Sequence, residues 1–253
     1  MIGTIAMAVF VLSCSAVGLR LVWIGARQNI GPAWSCGLGF TFIAAVGQPL
    51  QAASGSYTGA IGEINHGLAA AGLLFVCAGL ASFFAFTLTV FRMEAKWAWV
   101  LCCGAILALT ICGFGRIGAM ASADRTALAV AVGMPWSLAI GTLSTLCYAW
   151  LGFEGMLEWS KSRRRLVLGL ADAAVSNRFL MWGLFGVSTT ILSSFLLFLQ
   201  IATVKGSQSL AGQLAMTIFG LVSAGTVMLA FFPPERYLAW VRARHAGARA
   251  SAA

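Results

Sequence analysis

Residues 66–91 read HGLAAAGLLFVCAGLASFFAFTLTVF, without an Asp, Glu, Lys or Arg among them. The run exceeds the roughly 20 apolar residues an α-helix needs to cross the hydrocarbon of a bilayer. It is continuously apolar, whereas a barrel strand would alternate over about ten residues. A helix satisfies its own backbone groups, so it can lie in lipid. Outward from this stretch, the same reading places spans at about 4–23, 32–50, 97–119, 134–159, 179–201 and 210–232. The sequence therefore predicts an all-α integral membrane protein, a seven-transmembrane-helix bundle over residues 1–232. Residues 233–253 follow as a short in-plane helix and a disordered tail. No segment between the spans is long enough for a folded soluble domain.

The composition agrees. The chain has 253 residues, 60% of them hydrophobic and only 9% charged, against about 25% charged in soluble domains. That balance excludes disorder, a disulfide-rich secreted module and a soluble nucleic-acid binder. The net charge of +9 has a topological reading instead. Thirteen of the sixteen basic residues fall on one side of the predicted spans, leaving Arg116, Arg125 and Lys205 on the other. The positive-inside rule then sets the N-terminus outside and the C-terminus in the cytoplasm, as an odd number of spans requires. Trp23, Trp34, Trp97, Trp99, Trp159, Trp182 and Trp240 gather at the inner interface as an aromatic belt. The first span lacks a basic residue ahead of its apolar core, so it reads as a span and not a signal peptide. The expected setting is a bacterial cytoplasmic (inner) membrane, with an anionic inner leaflet facing the basic loops.

Several chemistries lack their residues. The seven cysteines all lie within predicted spans and form no C-x-x-C pair, which reads as soft packing. His66 and His245 are the only histidines, so neither a bis-histidine haem nor an H-E-x-x-H zinc site is possible. Lys96, Lys161 and Lys205 sit near span ends, and Asp124 and Asp172 are in predicted loops. No catalytic residues, metal ligands or cofactors are expected. Mid-span carboxylates, which ion-coupled carriers generally need, are missing too.

What remains is polar residues at the two faces. On the outer side, Gln48, Gln51, Glu63, His66, Arg116, Trp136 and Gln200 are the predicted ligand-binding set. Asn65, Asp124 and Arg125 complete a vestibule. Arg116, about one turn inside the apolar zone, needs a partner such as Glu63 or must snorkel. His66 is the only side chain there that titrates near neutrality. On the inner side, Glu154 and Glu158 share a helical face and are expected to pair with the basic run of Lys161, Arg163, Arg164 and Arg165, or with Arg92 and Arg178. Residues 163–177 form either an amphipathic segment along the headgroups or a solvated loop. Mid-span hydroxyls, Thr142, Ser144, Thr145, Ser188 and Thr189 and notably Thr190, Ser193 and Ser194, read as helix-packing bonds, to their own helix or across to a neighbour, or as a cavity wall. Gly115-x-x-x-Ala119 and Gly220-x-x-x-Ala224 read as close helix crossings.

Pro233-Pro234 ends the last span, and a helix can restart with Pro234 at its first position. Pro234, Arg236, Tyr237 and Trp240 then form a candidate docking element for a membrane or protein partner. With seven spans and an external N-terminus, this element, Phe231–Trp240 (FFPPERYLAW), resembles actinobacterial seven-helix membrane proteins. It also resembles the seven-transmembrane sensor regions of histidine kinases. The resemblance implies a membrane sensor, a signalling partner or a transporter. No kinase domain follows here, so output would pass to a separate protein, and no ligand residue carries over. The expected function is a non-enzymatic sensor or accessory signalling subunit with an outward-facing polar pocket. A facilitative small-molecule transporter or permease subunit is the alternative, and a structural subunit of a membrane complex the third reading.

Overall fold

The computed structural model describes residues 2–54, 65–121, 126–202 and 209–250. Every element among them is helical: α1 (Ile2–Gln28), α2 (Gly31–Phe40), a π-helical segment (Thr41–Gly47), α3 (Gln48–Ala53), α4 (His66–Phe91), α5 (Lys96–Ala121), α6 (Thr126–Val167), α7 (Ala173–Ala202), α8 (Leu210–Phe231) and α9 (Glu235–Ala250). Six of these, α1 and α4–α8, are long and apolar enough to cross a membrane. The chain is thus a multi-pass helical protein.

The predicted second span, 32–50, differs from the rest. It is three pieces on one helical path, α2, the π segment and α3, with right-handed helical backbone at Thr41 and Gln48 where they join. Pro49 stands in the first turn of α3. It has no N–H to give the preceding turn, and a π turn is one way a helix absorbs that loss. Gly37 lets α2 lie backbone-to-backbone on α1: a Cβ there would stand 2.6 Å from Val22 N.

Neighbouring helices pack in chain order, α1 on α2, α2 and the π segment on α4, and so on through α8, which returns to α1. The described helices therefore close into a ring. The tightest crossing joins α6 to α7. Cβ atoms on Gly186 and Gly155 would stand 2.3 Å from Gly152 Cα and 2.8 Å from Gly183 N, so no larger residue fits. These close approaches fall on a G-x-x-G spacing in both helices. The expected crossings are elsewhere: Gly115 packs against the Trp136 ring, and nothing approaches Gly220 within 4 Å.

Two boundaries shift. The 42 residues of α6 would extend about 63 Å at ~1.5 Å per residue, about twice the hydrocarbon thickness. Arg163–Arg165 therefore lie on its last turns, and residues 163–177 form neither an in-plane segment nor one long loop. The chain instead reverses in the few residues through Gly169, whose φ of 75° suits glycine. Asp172 then caps α7, accepting from Ala174 N at 2.9 Å. The second shift is α9, which continues to Ala250 and so takes in most of the stretch expected as a disordered tail.

α9 lies against α7. Val241 is buried with Leu166 and Ala173 at the α6–α7 reversal, and Tyr237 packs on the same cluster. The Tyr237 hydroxyl donates to Asn177 Oδ1 at 3.0 Å.

Candidate functional site

The antiparallel path brings the ends of α3 and α5 and the starts of α4 and α6 to one end of the bundle, here the His66 face. A cavity of about 260 Å³ opens between α4, α5, α6 and α7 towards this face. Its α4 wall is Ala69, Leu73, Val76 and Leu80, one helical stripe at spacings of three and four. That stripe is about 16 Å long at ~1.5 Å per residue. The opposite wall carries Ser137, Ile140, Gly141 and Ser144 of α6, again one stripe. Gln51, Arg116, Met120 and Gln200 complete the lining.

Arg116 is the one charged side chain among the described lining residues. Its Nη1 donates to Ser137 Oγ, and that hydroxyl donates in turn to Gly133 O at 2.9 Å. Gln200 Nε2 reaches Met134 Sδ at 3.5 Å. Polar and apolar groups therefore share the lining, with Gln51, Arg116, Ser137 and Gln200 towards the His66 face and Ser144 beside Leu80 at the deep end. One turn below Leu80 and Ser144 lie Phe83 and Tyr148, with ring centroids 6.0 Å apart. Phe40 and Phe185 extend this layer, each within about 6 Å of a neighbouring ring. The aromatic layer is buried and follows one turn beyond the cavity's lining residues.

Three of the predicted ligand residues, Gln51, Arg116 and Gln200, thus meet in one cavity. Trp136 stands behind it, its ring against Gly115. Gln48 is half-buried on α3 but does not line the cavity. His66 is exposed at the first position of α4. Glu63, Asp124 and Arg125 lie outside the described residues. Asn65 is a helix cap, its Oδ1 accepting from Leu68 N at 3.1 Å. Ser144, one of the mid-span hydroxyls read as packing bonds or a cavity wall, does line the cavity; sequence reasoning missed Ser137, yet with Gly141 and Ser144 it forms an i, i+4, i+7 stripe of small residues that was there to read.

The other hydroxyls bond both along their own helix and across to a neighbour. Thr190 and Ser193 donate to their own helix, to Gly186 O and Thr189 O, and Ser194 is exposed; none lines the cavity. The cross-helix bonds come from Ser188 and Thr189 of α7, whose hydroxyls lie 2.8 and 3.1 Å from Ser223 Oγ on α8.

At the opposite end, the Arg92 face, Glu154 is 1% exposed and Arg92 about one-third exposed. Arg92 Nε donates to Glu154 Oε1 at 2.7 Å, and Trp150 Nε1 donates to the same oxygen at 3.3 Å. Oε2 is buried without a hydrogen-bond partner. The hydrogen bond to Glu154 raises the Arg92 guanidinium above its ordinary pKa despite partial desolvation, so it stays charged at any working pH. Glu158 pairs with Lys161 of the basic run at 2.6 Å, and Arg163 lies over the Trp159 ring. Among the described residues, neither glutamate pairs with Arg163, Arg164 or Arg165. Arg236 and Trp240 are exposed on α9 and Pro234 just before it, while Tyr237 and Trp240 stack on each other.

No group of three or more His, Cys, Asp or Glu side chains that could hold a metal is found among the described residues. No family model, no curated protein and no solved structure matches the chain.

Proposed function

We propose that the chain is a seven-span sensor or accessory signalling subunit of a bacterial cytoplasmic membrane, with its N-terminus outside. It binds a small molecule in the cavity between α4, α5, α6 and α7. The observation that carries this reading is the cavity itself, where Gln51, Arg116 and Gln200 converge beside apolar side chains of α4 and α6. A concave site with mostly apolar walls and a few convergent polar groups is the usual form of a small-molecule site. The seventh span is the α2–π–α3 path, which is as continuous as the others although no single piece is long enough. The His66 face is external because the basic residues collect at the other end.

The output route is α9. It rests on the α6–α7 reversal, and α6 and α7 both line the cavity, so a ligand that moved either helix would move its seat. The protein partner binds at α9, and the surrounding basic residues face anionic lipid. The test is thermal unfolding in lipid nanodiscs against a small-molecule panel, with and without Ser144→Phe, which fills the cavity. Ligands that stabilise the native chain and not the variant support the reading. Partner capture that is unchanged when the chain is cut before Pro234 refutes the output route.

A permease is the second reading, favoured by the π segment. Thr41 Oγ1, at its first residue, is buried without a hydrogen-bond partner. Irregular helices with unspent polar groups mark many transport sites. Solute flux in reconstituted vesicles above that of empty ones would select it.

A further inference from the structure

We infer that the cavity selects an uncharged molecule with a hydroxyl at each end of a short apolar body, the inner hydroxyl on Ser144 and the outer one on Gln200. This inference rests on the reading of the cavity as the ligand site and adds the ligand's chemical class.

The anchors are the lining groups with hydrogen-bonding capacity left over. Arg116 already donates to Ser137 and Gln51 has a partner of its own, so both belong to the wall. Ser144 differs from the hydroxyls around it. Ser137, Thr142 and Thr145 each donate to the carbonyl four residues back on α6. Ser144 Oγ, half-buried in the lining beside Leu80, makes no hydrogen bond among the described residues. A hydroxyl held in apolar surroundings gains from a partner. Gln200 spends one N–H on Met134 Sδ at 3.5 Å, and a thioether is a weak acceptor. Its carbonyl makes no hydrogen bond among the described residues. A ligand hydroxyl both donates and accepts, so it suits the Ser144 hydroxyl and either side of the Gln200 amide. Neither anchor is charged, so an ionic end group would lose water there without gaining a counter-charge from its anchor.

Spacing sets the body. From Met134, which holds Gln200, to Ser144 the helix rises about 15 Å at ~1.5 Å per residue. Hydrogen bonds of about 2.8 Å at the two ends leave about 10 Å between the ligand's oxygens. Along that length the lining includes Leu73, Val76 and Ile140, which favours an apolar middle. The cavity, about 260 Å³, holds about nine water-sized groups at ~30 Å³ each. A seven-carbon chain with a hydroxyl at either end meets both limits.

The test uses the full chain in nanodiscs, with 1,7-heptanediol, 1-heptanol and heptanedioate as probes and thermal unfolding as the readout. Ser144→Phe, in the same nanodiscs, measures the effect of probe dissolved in lipid. The diol is expected to bind the native chain roughly threefold to tenfold tighter than heptanol, and heptanedioate, the charged counterpart of the same length, is expected not to bind. Ser144→Ala and Gln200→Leu each remove one anchor and lose the preference for the diol, while both still hold heptanol at near-native strength. That retained heptanol binding shows the variants are folded. A preference for the diol that survives both substitutions overturns the anchors, and heptanedioate binding as tightly as the diol overturns the uncharged class. If diol and heptanol bind equally and Ser144→Phe abolishes both, the two-ended class is wrong and the cavity reading survives. Should Ser144→Phe change no probe's effect, both the class and the cavity reading fall.

Discussion

The Arg92–Glu154 pair gives a prediction whose asymmetry comes directly from burial. Replacing Arg92 by Leu leaves the Glu154 carboxylate 1% exposed, with only Trp150 Nε1 on Oε1 and nothing on Oε2. Orphaning a buried charge in this way costs about 3–5 kcal/mol. Replacing Glu154 by Leu leaves Arg92, already about one-third exposed, and a long arginine can turn its head to water. The remaining cost is the indole N–H without its acceptor, about 1–2 kcal/mol. The double variant orphans no charge, so it should lie within about 2 kcal/mol of the native chain and above Arg92→Leu alone. Unfolding free energies in mixed micelles, followed by tryptophan fluorescence, give all three values. If Glu154→Leu proved as damaging as Arg92→Leu, or if the double variant were the least stable, the burial argument would be wrong.

The other predictions are smaller in scope. Gly186→Ala drives a methyl into Gly152 Cα and should cost upwards of about 3 kcal/mol by the same assay, whereas Gly220→Ala meets nothing and should be neutral or stabilising. Ser223→Ala removes the shared partner of Ser188 and Thr189 and should cost about 1 kcal/mol, typical of hydroxyl bonds between membrane helices. Tyr237→Phe loses the bond to Asn177. It should loosen α9 by about 1 kcal/mol, seen as faster protease cleavage after Arg236 with the bundle's unfolding unchanged.

How legible all this is in the sequence depends on how local the signal is. The α4 run shows its length and apolarity residue by residue, and so do α1, α5, α7 and α8. Helix α6 outruns its apolar stretch because Trp159–Arg165 is a good helix former once it leaves the lipid, so hydropathy hides its end. The α2–π–α3 path has the right length, but its break depends on Pro49 and on glycines whose neighbours lie on α1 and α4. In the cavity, Gln51, Arg116 and Gln200 stand out because polar residues near span ends are conspicuous. Ser137 and Ser144 look like ordinary span hydroxyls until α4 is set opposite them. For Glu154 the sequence offers both the adjacent basic run and Arg92; only the fold, which brings Arg92 from 62 residues away, decides between them.

The claim that the cavity is a ligand site meets its most direct test in an experimental structure of the chain in nanodiscs with a brominated form of a ligand that stabilises the native chain and not Ser144→Phe. The predicted result is an anomalous bromine peak inside the cavity, among Leu73, Leu80 and Ile140. Bromine found only in the lipid around the bundle, with the cavity collapsed or unoccupied, would contradict it.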